Sequence, residues 1–112
     1  MPISSGKSRK AINFDLDDNL LKQNYPSKSY KNAWRDIKRY LVKNGFIHRQ
    51  YSGYVSKGNI KMSKVGNIIG TMSRKWSWLS LSVIQFDVTI VGNEYSFLKR
   101  IEDEANMFKK ES

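Results

Sequence analysis

Ala11-Ile12-Asn13-Phe14-Asp15-Leu16-Asp17-Asp18 is the stretch whose reading decides the fold. Ile12, Phe14 and Leu16 alternate with Ala11, Asn13 and Asp15, the period of two of a half-buried strand. If Phe14 faces a core, Asp15 faces the other way, and Asp17 shares that side at the strand's end. Asp15, Asp17 and Asp18 are three of only ten carboxylates in a chain of formal net charge +10. Asp17 and Asp18 follow the apolar run and read as residues that end the strand and solvate the turn. Asp15 lies inside the run. A carboxylate there can hold a hard cation or position a water.

Working outward, 112 residues make one domain with room for a single two-layer core. The absence of cysteine excludes a disulfide framework and a thiolate metal site, and a single histidine excludes a His-rich zinc site. No apolar run approaches the roughly 20 residues of a membrane span. Residues 1–10 lack the apolar centre of a secretory signal, so a cytoplasmic protein with no membrane partner is expected. They read instead as a flexible basic arm, leaving 11–112 as the domain.

The charge is uneven. From Ile37 to Phe86 there is no Asp or Glu, while Lys38, Arg39, Lys43, Arg49, Lys57, Lys61, Lys64, Arg74 and Lys75 give that span +9. Tyr40, Tyr51, Tyr54, Trp76 and Trp78 are interleaved with these cations, the composition of a nucleic-acid surface. The plainer reading of the same lysines is solubility.

Asn19 to Pro26 reads as a polar connection, and Pro26-Ser27-Lys28-Ser29 as a serine cap for a helix carrying Tyr30, Ala33, Trp34, Ile37, Tyr40 and Leu41. Asn44-Gly45 stops it. Phe46 to Ser56 reads as two strands turning near Tyr51-Ser52-Gly53, with Gln50, Ser52 and Tyr54 sharing a face if the second strand begins early. His48 reads as an ordinary strand residue. Gly58-Asn59 then leads into a second helix with the stripe Val65, Ile68, Ile69, Met72 and Trp76. Within it Gly66 and Gly70 suggest close packing on the sheet, and Lys57, Lys61 and Lys64 gather at its start. Phe86, Val88 and Ile90 alternate with Gln85, Asp87 and Thr89 in a last strand. Leu98, Ile101, Ala105 and Phe108 mark a final helix. No glycine-rich nucleotide loop and no serine or cysteine triad is present.

The order β-α-β-β-α-β predicts an α+β, ferredoxin-like domain: a four-stranded antiparallel sheet, two helices on one face, and an extra C-terminal helix. Asp15 and Asp87 would show on the open face.

These residues also resemble the virulence-associated protein D (VapD) group of small bacterial ribonucleases, which is related in fold to the small nuclease subunit of CRISPR adaptation. The match runs from about Ala11 to Val91. It is carried by Phe14-Asp15-Leu16, Tyr30-x-x-Ala33-Trp34-x-Asp36-Ile37, Gly45-Phe46, Gln50-x-Ser52-x-Tyr54-Val55, Trp78 and Ser82-Val83. The resemblance implies a ferredoxin-like homodimer that cleaves single-stranded or messenger RNA, with Asp15 as the key acid. After Ser82-Val83 the family commonly continues Arg-Asp-Ile, where this chain has Ile84-Gln85-Phe86.

The leading expectation is therefore an endoribonuclease of the toxin type. Asp15 is its catalytic residue, with Mg²⁺ as the cation Asp15 could hold, and Arg49, Gln50, Ser52, Tyr54, Lys57 and Lys61 are its RNA contacts. The alternative is a dimer of the same fold that binds RNA or protein without cleaving. Such a dimer would be a partner, beside an antitoxin protein, in a toxin–antitoxin or mobile-element defence system.

Overall fold

A computed structural model describes residues 6–50, 52–91, 101 and 103–105. The chain runs β1 (Lys7–Leu16), α1 (Asp18–Asn24), α2 (Asn32–Lys43), β2 (Phe46–Gln50), β3 (Gly53–Ser56), β4 (Ile60–Lys61), α3 (Met62–Lys75), α4 (Ser77–Ser82) and β5 (Val83–Val91). It is an α+β fold around an antiparallel sheet of five strands, not four. The additional strand is the two-residue β4, which meets Lys7 and Ser8 at the start of β1.

β1 is the centre of the sheet. Ala11, Ile12 and Asn13 pair with β3 on one edge and with β5 on the other, and β2 closes the β3 side as a hairpin. Lys10, Ile12, Phe14 and Leu16 are buried while Asn13 and Asp15 are exposed. Opposed residues of antiparallel strands share a face. Ile12 therefore meets both Tyr54 and Val88, and the rings of Phe14 and Phe86 stack with centroids 5.3 Å apart. α2 covers this face with Ala33, Ile37 and Leu41, and α3 with Val65, Ile68 and Met72. The Tyr40 hydroxyl donates to the Ile68 carbonyl at 3.1 Å and joins the two helices.

Several expectations are corrected. The connection after β1 is helical: the Asp17 side chain accepts from the Leu20 amide at 2.9 Å and caps α1, which buries Leu21. No serine caps α2, since Ser27 closes a local turn on the Ser29 amide and the helix begins at Asn32. Gly45 ends it as expected, with φ at 93°. The glycines of α3 do not pack on the sheet: a Cβ at Gly66 would meet nothing within 4 Å, and one at Gly70 only the end of Arg74. Ile90 is 66% exposed, although its neighbours Phe86 and Val88 pack against the core.

Residues 7–10, read as part of a basic arm, belong to β1. Lys10 points inward yet finds oxygens: its ammonium donates to the Ser8 carbonyl, the Ser8 hydroxyl and the Ile60 carbonyl at 2.6–3.1 Å. The expected final helix lies mostly outside the described residues. Ile101 and residues 103–105 are helical and exposed.

Candidate active site

The alternation that buries Phe14 leaves Asp15 on the side of the sheet away from the helices. Asp15 sits one residue before the end of β1, opposite Gln85, and the register with β5 shifts between Asp15 and Leu16. Such bulges re-aim side chains and are over-represented beside active sites. Just beyond, the Asp17 amide donates to the Ser82 carbonyl at 2.8 Å, tying the strand's exit to the end of α4. Asn13 stands opposite Asp87, so Asp15 and Asp87 lie diagonally on one exposed face. The Gln85 amide donates to the Asp87 carboxylate. Sequence reasoning placed Asp15 and Asp87 together on the open face; the bond from the Gln85 amide to Asp87 is what it did not assemble. Its signal was the alternation Gln85-Asp87-Thr89, once β5 is known to lie beside β1.

The expected RNA contacts divide into three. The turn between β2 and β3 falls near Asp15: Gly53 pairs with Asn13 and with Gln50, Arg49 is exposed, and Ser52 is half-buried. Lys57 and Lys61 are exposed but belong to the other end of the sheet. Lys61 pairs with Lys7, eight residues and about 26 Å along β1 from Asp15 at 3.3 Å per residue. There Lys61 and Lys64 line a cavity with Lys7, Asn59 and Ile60.

Tyr54 is the third case and a correction. It is 2% exposed, packed between Phe14 and His48 on the helix-covered face, and it is core, not an RNA contact. Burial pushes its phenol up to about 12. The second strand begins at Gly53 and Tyr54 faces the core, so Tyr54 does not join the expected face with Ser52; the Gln50 side chain lies outside the described residues.

Chemically, the site offers two carboxylates and the amides of Asn13 and Gln85. These are oxygen donors of the hard kind that Mg²⁺ prefers, with no soft ligand among them. Among the described residues no group of three or more His, Cys, Asp or Glu comes together.

An antiparallel α+β sheet with an acid at the bulged end of its central strand is the class that this geometry defines. No family model matches the chain. Over 73 residues it is 33% identical to endoribonuclease VapD 2 of Riemerella anatipestifer, a span covering 65% of this chain and 78% of that relative. The chain belongs to the VapD family. No helix among the described residues is long and apolar enough to cross a membrane.

Proposed function

We propose that the protein is an endoribonuclease that cuts single-stranded or messenger RNA at Asp15, acting as a toxin-type RNA interferase. One observation carries the reading: in a chain of the VapD family, the sheet's central strand ends in an exposed carboxylate beside Gln85 and Asp87. Cleavage needs an activated 2′-hydroxyl or water and a positive group near the phosphorane. Asp15 accepts the proton or holds a cation. Asp87 is oriented by the Gln85 amide, and the exposed Arg49 steadies the backbone of the strand. Asp15 and Asp87 would hold Mg²⁺, which when bound supplies charge neutralisation at the phosphate.

A homodimer fits this reading. β5 is a nine-residue strand whose described partner is β1 alone, and it leaves Ile84 61% and Ile90 66% exposed. A long apolar edge is a liability unless covered. A second copy would also bring a second Asp15 and complete the donor set. The strand order β2-β3-β1-β5, antiparallel throughout, supports a ferredoxin-like assignment with β4 as an insertion.

Labelled RNA incubated with the protein, with and without EDTA and beside Asp15→Ala, tests the reading. Cleavage lost in the variant supports it, and cleavage by the variant equal to the parent's overturns it. One observation favours a second reading, binding without cleavage. Where the family commonly carries Arg-Asp this chain has Ile84-Gln85, and Gln85 faces Asp15 directly. RNA bound but intact in the presence of Mg²⁺ would select that reading, with an antitoxin or defence protein as the further partner.

A further inference from the structure

Cations also meet aromatic rings away from Asp15, Lys22 at the Tyr30 ring and Lys75 in the helical layer. There the ends of α2 and α3 form a groove of about 390 Å³ lined by Arg39, Tyr40, Lys43, Lys75 and Trp76. The one carboxylate in its wall, Asp36, accepts the Tyr25 hydroxyl and keeps its charge, but Arg39, Lys43 and Lys75 outweigh it and the groove is positive. Lys75 sits 5.9 Å from the Tyr40 ring centroid and 5.5 Å from that of Trp76. Trp76 stands edge-on to Tyr40 at 5.9 Å and is stacked on Trp78 at 5.3 Å, so its indole is held in place. Arg35 and Lys38 continue the positive surface along α2 with Arg39 and Lys43, at the i, i+3, i+4 and i+8 spacing of a single helix face.

We propose that this groove is a second binding site for single-stranded RNA, one that grips the strand away from the point of cutting. The inference rests on the endoribonuclease reading for its substrate, and on different residues for its evidence. The Trp76 indole, backed by the buried Trp78, and the Tyr40 ring offer aromatic surface to bases, and Arg39, Lys43 and Lys75 take the flanking phosphates. That combination tracks a single strand with little sequence preference. An acidic protein segment would satisfy the cations but would leave the ordered aromatic pair without a use. A duplex would keep its bases from the rings.

The groove is also connected to the candidate active site. Only α4, six residues and about 9 Å long, separates Trp76 from β5, whose Gln85 faces Asp15. The Ser82 carbonyl at the end of α4 is bonded to the Asp17 amide, two residues past Asp15. A strand leaving the groove over α4 arrives at the acid end of the sheet.

The test uses a 2′-O-methyl oligonucleotide, which binds without being cut, and the double variant Arg39→Gln/Lys43→Gln. Both positions are exposed on α2, so the fold should be retained. The expected result is about tenfold weaker binding and a log–log salt slope shallower by about 1.4, two phosphates at 0.7 each. Quenching of tryptophan emission by the oligonucleotide should weaken in parallel. Unchanged affinity and slope in a folded double variant would overturn the proposal and leave the groove to an acidic protein. Asp15→Asn, assayed alongside for cleavage of ordinary RNA, reads the active site separately. Loss of cleavage with an unaffected groove variant sinks only this inference, and the converse sinks only the catalytic one.

Discussion

Replacing Asp15 by Asn separates catalysis from structure, because the geometry assigns the two effects very different sizes. Asp15 is exposed on the open face, and Asp87 lies diagonal to it across the β1–β5 ladder. Diagonal neighbours lie about 7 Å apart. Two unit charges at that distance repel by about 0.6 kcal/mol in water, and physiological salt roughly halves this. Asn keeps the size and the reach of the side chain, so folding stability should change by less than about 0.5 kcal/mol, and in the stabilising direction. A catalytic carboxylate is worth about 10²–10⁴ in rate, or roughly 2.7–5.4 kcal/mol of barrier. Urea unfolding and cleavage of labelled RNA, run on the same preparation, read both. RNA affinity should hold or rise, since a negative charge leaves a basic protein. A variant that unfolds would make Asp15 a structural acid, and undiminished cleavage would trace the activity elsewhere; either result refutes the reasoning.

Other expectations follow from the same packing. Tyr54→Ala should destabilise the fold by about 3–5 kcal/mol, as for any large buried ring, and a stably folded variant that merely loses RNA affinity would return Tyr54 to the binding set. Gly66→Ala should add about 0.5–1 kcal/mol, because the position is mid-helix and open; a loss of stability in denaturant melts would mean a neighbour occupies it. Tyr25 and Tyr54 ionise only near 12 in the fold against 10.0 for the free phenol, Tyr25 through burial and then the Asp36 carboxylate it binds. Their neutral forms are favoured by folding, so stability should be full below pH 10 and fall between pH 10 and 12, and superimposable tyrosinate titrations of folded and unfolded chain would refute this. Sedimentation at micromolar concentration should show twice the 13.0 kDa chain mass, and a single 13.0 kDa species would remove the dimer from the proposed mechanism.

What the sequence disclosed was set by periodicity. β1, α2, α3 and β5 each carry an apolar pattern long enough to show its period; the buried residues of the first three fall where that pattern puts them, and in β5 Phe86 and Val88 pack on the core while Ile90 departs from it. α1 was missed because it offers only Leu20 and Leu21, and its real signal was Asp17 standing three residues ahead of Leu20 as a cap. The first third of β1 was missed because Lys7-Ser8-Arg9-Lys10 has no apolar residue, and an inward lysine becomes acceptable only once the Ser8 and Ile60 oxygens surround it. The face of Tyr54 was misjudged for a different reason. A one-residue irregularity in a hairpin exchanges its faces, and the shift between His48 and Gln50 carries no mark in the sequence.

The placement of charge then limits how the site can work. Asp15 and Asp87 lie on opposite sides of the acid-free span in sequence, Asp87 immediately after it and Asp15 ahead of Asp17, Asp18 and Asp36, and the sheet brings them together by pairing its first long strand with its last. The result is a local negative spot on a protein of net charge +10. A phosphate approaching it meets two carboxylates, one already oriented by Gln85, so the spot itself repels the substrate it would cut. On the proposed reading affinity comes from cations placed elsewhere: Arg49 beside the hairpin turn, and the helical layer with Arg39, Lys43 and Lys75. A divalent cation at the acids would convert the repulsion into attraction only where the strand is to be broken. On the two proposals, holding and cutting thus belong to different parts of the fold, and surface variants on α2 and a charge change at Asp15 should move binding and cleavage independently.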